Sequence, residues 1–166
     1  MLSKLRNKKF NCISRAIDML VLFLGEDYSF ISDNGTKIEV AEYSLHVQSQ
    51  CCFTVNGEKL LASSDIYEPF KDNVPEDWEY DIAGRPDELS SILDVFAKQF
   101  NISMQGTVVA ECYLSATNDI TIKFSNGVIF EQFTPSSSKD EKWRLIDYIN
   151  NTHIVCYDDN GNIACE

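Results

Sequence analysis

The sequence predicts an α+β fold: a bent antiparallel sheet, or two sheets, of about eight strands, with one main helix at about 87–100 packed on it. Three observations carry this. Period-two alternation of apolar and polar residues recurs along most of the chain. Tight-turn pairs such as Asn-Gly separate the alternating runs, so consecutive strands pair antiparallel. Between Asp87 and Phe100 alone, the apolar spacing is clearly helical. At 166 residues, a single domain spanning 1–166 is expected, long enough to bury a core.

Residues 10–24, FNCISRAIDMLVLFL, fit helix or strand. Met19 to Leu24 is apolar on both faces, as in a central buried strand. Lys4 to Lys9 followed by Ile17 to Leu24 imitates a secretory leader. Asp18 interrupts the apolar run and no small-residue cleavage site follows. The run is also far short of the ~20 residues of a membrane helix. A cytoplasmic location is expected.

Gly25-Glu26-Asp27 reads as a turn, Tyr28 to Ser32 as a short strand, and Asp33-Asn34-Gly35 as the next turn. From Lys37 a meander follows through Ile38, Val40, Leu45, Val47, Phe53 and Val55. Asn56-Gly57 marks a hairpin inside it. Residues 65–86 contain Pro69, Pro75, Gly84 and Pro86 without periodicity, and read as a long exposed loop.

The helix stripe is Leu89, Ile92, Leu93, Phe96 and Phe100. Strands are expected over Gly106 to Ser115, Ile120 to Phe124 and Val128 to Phe133, with Asn126-Gly127 joining the last two. Pro135 to Asp140 reads as a loop. Trp143 to Ile149 and Thr152 to Tyr157 form a final pair, and Asp159-Asn160-Gly161 turns the tail.

The charge is unevenly placed. The chain carries −12. From Asp65 to Asp94, ten carboxylates face only Lys71 and Arg85, a net of −8. Two-thirds of the imbalance thus lies in under a fifth of the length. Tyr67, Phe70, Trp78 and Tyr80 are interleaved with the acids. Such a surface repels phosphate backbones and anionic membranes and suits a basic protein. The one basic concentration, Lys4, Arg6, Lys8, Lys9 and Arg15, reads as a solvated or frayed end.

No reaction is named by the residues. The seven glycines are scattered and form no phosphate cradle. The six cysteines include no C-x-x-C pair and read as mostly buried, reduced thiols. With His46 and His153 alone, no metal site is expected, and no cofactor. Asp77, Glu79 and Asp81 share a face if extended, but a solvated acidic loop is the simpler reading. Asp158-Asp159-Asn160-Gly161 lacks the later glutamate of a calcium loop. His46 next to Cys51 would give thiol catalysis, and Asp65 with Asp81 and Glu79 a carboxylate pair for acid–base work. Trp143 reads as a core cap, with Arg144 facing an acidic neighbour. Trp78, among Glu76, Asp77, Glu79 and Asp81, suits an interface equally well.

Three pieces in order carry a resemblance: Ser14-Arg15-Ala16-x-x-Met19-Leu20, then Tyr43-Ser44-Leu45-His46-Val47-Gln48 with Ser64-Asp65 downstream, then Glu141-x-Trp143-Arg144. In outline the chain resembles a group of small uncharacterised bacterial proteins. There the histidine strand usually runs into a Trp-Arg pair, where this chain has Cys51-Cys52-Phe53. In size, acidity and lack of catalytic motif it is similar to the immunity proteins of bacterial contact-dependent and polymorphic toxin systems. That resemblance implies a cytoplasmic inhibitor, not an enzyme, that binds a toxin domain. Nuclease toxins carry basic clefts, so a cationic protein partner is expected. The residues expected to meet it are Asp72, Glu76, Asp77, Trp78, Glu79 and Asp81. The alternatives are a small enzyme using His46 with Cys51 or Asp65, and a housekeeping protein-interaction module.

Overall fold

Alternation and turns produce eleven strands and one α-helix in the computed structural model, which describes residues 2–32, 34–82, 85–134, 140–157 and 163–165. The strands are β1 (Phe10–Ala16), β2 (Met19–Ile31), β3 (Lys37–Val47), β4 (Gln50–Val55), β5 (Glu58–Ala62), β6 (Val109–Leu114), β7 (Ile120–Phe124), β8 (Ile129–Phe133), β9 (Trp143–Asp147), β10 (Thr152–Cys156) and β11 (Ile163–Cys165). The helix α1 covers Ile92–Ser103. One sheet is ordered β1-β2-β3-β9-β10-β11 and the other β5-β4-β8-β7-β6. Neighbours in both are antiparallel. The fold is therefore α+β with two sheets, and has more strands than expected.

Two of the differences lie in the first segment. Residues 10–24 are a hairpin, broken at Ile17-Asp18, where Ile17 takes φ 58°. A β-branched residue in that region is strained and gives no turn signature. Gly25-Glu26-Asp27 is a bulge inside β2 and not a turn, because the register with β3 shifts between Leu24 and Asp27. Gly25 takes φ 96°, and a Cβ there would stand 2.8 Å from the Glu42 Cβ. The bulge needs glycine for both reasons.

Asn56 and Gly57 both have positive φ, 51° and 81°, and close the expected β4–β5 hairpin. Between β3 and β4, at Gln48-Ser49, the chain changes sheets, so the meander does not pair those two strands. Among the predicted turns and loops, Asp33, Gly84, Pro135 to Lys139 and Asp158 to Gly161 lie outside the described residues.

The helix begins later than 87. Asp87–Leu89 is a separate 3₁₀ turn. Ser91 is extended and its hydroxyl accepts from the Asp94 N–H, which makes it the N-cap. The buried face is Leu93, Ala97 and Phe100, followed by Met104, and Phe96 is 45 % exposed. The stripe expected through Ile92 and Phe96 is thus rotated. Phe100 packs edge-on against Phe10 of one sheet, with centroids 5.8 Å apart, and against Phe53 of the other at 4.6 Å. Asn101 both donates to the Ile13 carbonyl and accepts the Ile13 N–H, so α1 covers the free edge of β1.

Leu20, Leu22, Leu24, Leu45 and Trp143 from the first sheet meet Phe53, Ile122 and Phe130 from the second in one hydrophobic cluster. Each such side chain contributes about 1.5–3 kcal/mol by leaving water, before entropy is subtracted. Trp143 is wholly buried and its indole N–H donates to the Asn118 carbonyl at 3.0 Å. It is a core residue, as expected. Arg144 forks onto Glu141 at 2.8 and 3.1 Å.

Candidate protein-binding surface

The acidic segment leaves β5 through a 3₁₀ turn, Ser63–Ile66, anchored by the buried Ile66. It returns to α1 through a narrow neck. There the Phe70 N–H donates to Ser90 and the Ile92 N–H to Glu68, both at 2.9 Å. Beyond the neck, three hydrogen bonds tie the segment to itself and one, from Arg15, ties it to the rest of the protein. The Trp78 N–H donates to the Pro75 carbonyl at 3.0 Å, and its indole N–H to the Leu89 carbonyl at 2.8 Å. Arg15 donates to the Tyr80 carbonyl at 2.7 Å, and Arg85 to the Glu79 carbonyl at 2.8 Å. All four acceptors are backbone carbonyls.

Three carboxylates of the run are used by the fold itself. Asp65 accepts the Ala62 N–H at 2.8 Å. Asp87 pairs with Lys98. Asp94 takes the Arg15 fork at 2.6 and 2.7 Å. Burial alone would raise the Asp94 pKa, but the Arg15 hydrogen bonds and charge outweigh it and hold the carboxyl below its ordinary range. The side chains of Glu68, Asp72, Glu76, Asp77, Glu79, Asp81 and Glu88 are exposed. Among the described residues none of them makes a hydrogen bond or ion pair.

Thus Asp72, Glu76, Asp77, Glu79 and Asp81 lie together on the loop in water, with Trp78 half-buried between them and turned toward Leu89. Apolar side chains border them. Tyr67 is 49 % exposed and packs on Tyr80 with centroids 4.8 Å apart. Phe96 is stacked edge-on with Phe70 at 5.9 Å. Ile82 and Ile17 are also exposed. Phe96 and Ile17 carry no sequence signal for this surface. One falls on the helix's apolar repeat, and the other reaches the loop only through the β1–β2 turn.

Of the five N-terminal cations, Arg6 is exposed and makes no ion pair among the described residues, and the other four are paired. Lys4 pairs with Asp147, Lys8 with Glu42, Lys9 with Glu26 and Arg15 with Asp94. They do not reach the loop carboxylates, apart from the field that Arg15 shares with Asp81.

His46 and Cys51 are kept apart. His46 alternates with the core residues Leu45 and Val47, so it points from the outer face of the first sheet. There its Nε2 lies 3.1 Å from the Ser44 hydroxyl, and burial lowers its pKa. Cys51 lies in the second sheet, 2 % exposed within the core. Burial pushes its thiol up to about 12, which leaves almost no thiolate nucleophile at neutral pH. Asp65 is occupied by Ala62, as above. Strand pairing across β3, β9 and β10 does bring both histidines onto one face around Arg144, which bonds His153 Nδ1 at 3.0 Å. Sequence separation hid that grouping. Among the described residues no three His, Cys, Asp or Glu side chains are grouped to hold a metal ion. No helix among them is long and apolar enough to cross a membrane.

No family model, no curated protein and no solved structure matches the chain.

Proposed function

We propose that this chain is an acidic binding protein of the immunity type: it neutralises a cognate bacterial toxin domain in the cytoplasm by covering that domain's basic surface. A nuclease is the target class with the strongest reason to present such a surface, because its substrate is a polyanion. The observation that carries the reading is the way the loop is fastened. Backbone carbonyls and the Trp78 indole order it, Arg15 and the Tyr80 ring tie it to the body, and Asp72, Glu76, Asp77, Glu79 and Asp81 remain in water beside exposed apolar side chains. Crowded, unpaired anions raise the association rate with a cation, and neighbouring aromatic groups lengthen the life of the complex.

The test is the triple reversal Asp77→Lys, Glu79→Lys, Asp81→Lys, with the partner purified from the source cell. At low salt the association rate should fall by about 10- to 100-fold, with the circular dichroism spectrum unchanged. Association kinetics equal to those of the unaltered chain would remove this surface from the interface.

A further inference from the structure

Between the loop and the 3₁₀ turn lies a slot of about 270 Å³, lined by Pro75, Asp77, Trp78, Glu79, Ile82, Arg85 and Leu89. It is smaller than the roughly 300–1,000 Å³ clefts that take drug-sized ligands. A single side chain is the natural scale of its occupant. We propose that the slot receives one lysine or arginine side chain of the protein partner; this rests on the reading of the acidic loop as a partner surface.

The lining separates by chemistry. Pro75, Trp78, Ile82 and Leu89 offer apolar wall for an aliphatic stem. Asp77 and Glu79 are the exposed carboxylates of the same lining and would pair with the charged head. An indole face is also the best of the aromatic partners for a cation. Arg85 is the one cation in the lining. Its Nη1 donates to the Glu79 carbonyl, and among the described residues it makes no ion pair with a carboxylate, so Asp77 and Glu79 keep their charge for an incoming group.

Other occupants fit less well. A neutral apolar side chain would desolvate two carboxylates without pairing them. An acidic one would meet the whole field of the loop. A second copy of this chain has exposed Arg6 and Lys59 to offer, but would bring them with a net charge of −12 of its own. The slot is also fixed before binding. The indole is held by Leu89 and the Glu79 backbone by Arg85, so little side-chain ordering remains to oppose association.

The chain's two tryptophans make this testable on the full-length protein. Trp143 is wholly buried, and Trp78→Phe identifies the other indole N–H signal in a proton–nitrogen NMR spectrum. The probe is a blocked Gly-Gly-Lys-Gly-Gly peptide, with arginine, norleucine and glutamate versions. The lysine and arginine peptides should move the Trp78 signal saturably. The norleucine peptide should bind at least five-fold more weakly, and so should the lysine peptide to Asp77→Asn, Glu79→Gln. Equal binding of norleucine would overturn the proposal. So would a Trp78 signal that stays still, whether or not loop amides move, or one that shifts with protein concentration alone. The two readings fail separately. A Trp78→Ala chain that holds its partner as long as the unaltered chain removes the slot and leaves the surface. Only unchanged association after the triple reversal removes the surface itself.

Discussion

Two regions of this chain are crowded with charge and use it in opposite ways. In the N-terminal segment, Lys4, Lys8, Lys9 and Arg15 each meet a carboxylate from a distant element: Asp147, Glu42, Glu26 and Asp94. In the central loop, Asp72, Glu76, Asp77, Glu79 and Asp81 meet no such partner among the described residues. The contrast follows from where each segment runs. The first crosses the edges of both sheets: β1 pairs with β2, Lys9 bridges to Val108, and carboxylates lie within reach on either side. The loop stands beyond a neck and reaches the body of the protein through the Tyr80 ring and carbonyl, not through its carboxylates. A charge run in a sequence has no fixed meaning; its cost or use depends on what the fold brings opposite it.

The largest expected effect comes from breaking the deepest pair of the first region. The Asp147 side chain is wholly buried and accepts from Lys4 at 2.6 Å and from the Asn150 side chain and backbone at 2.9 and 3.1 Å. Asp147→Ala removes all three hydrogen bonds at once. Lys4 is 31 % exposed, so water can recover part of its charge. That places the loss at about 3 kcal/mol, the lower end of the range for a buried pair, read from urea unfolding. Lys9→Ala breaks a pair exposed on both sides and should leave the unfolding midpoint where it is. If the two variants behaved alike, burial would not be what ranks these pairs.

Arg15 joins the two regions. Its guanidinium is nearly buried, forks onto Asp94, and also holds the Tyr80 carbonyl of the loop. Arg15→Met should cost about 2 kcal/mol, as for hydrogen bonds to charged groups, and should release amide protection around Tyr80 in hydrogen exchange. The pH dependence has a definite sign. Because Arg15 holds the folded Asp94 pKa below its unfolded value, the stabilisation is complete above the ordinary aspartate range and is lost as pH falls through the folded value. In Arg15→Met only the Ser91 hydrogen bonds still oppose burial at Asp94, and the acid-side loss below the ordinary aspartate range should shrink. A variant with the same slope would mean that other carboxylates control the acid transition.

Much of the fold was legible where local chemistry decides it. Asn56-Gly57 supplies the two positive φ angles of a hairpin whatever surrounds it. The helix was legible as a helix, but its start was not. Asp87 carries the same acidic signal as a true first turn, and only the extended Ser90 and Ser91 show that the helix begins after them. Ile17 and the β3-to-β4 change of sheet left no trace, because a strained isoleucine and a polar Gln48-Ser49 link are set by tertiary contacts. The same holds for the surface. The acidic run could be read from composition. That Asp94 belongs to Arg15 across 79 positions, and that Asp147 belongs to Lys4 across 143, could not. With Asp65, Asp87 and Asp94 used by the fold, seven of the run's ten carboxylates remain in water, the five expected ones together with Glu68 and Glu88.

The smallest expected effect is also the one most able to break the comparison. In Glu76→Gln, Asp77→Asn, Glu79→Gln, three charges leave the loop and the side-chain shapes stay. If these carboxylates hold nothing, no hydrogen bond of the fold is lost with them. The only folded-state term is mutual repulsion among close anions, and removing it favours the compact state. The thermal midpoint should therefore rise, by no more than about 2 °C. The rise should shrink in 1 M salt, where charges are screened beyond about 3 Å. A fall of several degrees would mean that the acidic side chains help fasten the loop. Their charge would then be spent within the fold, as that of Lys4 and Arg15 is, and little of it would remain for a partner protein.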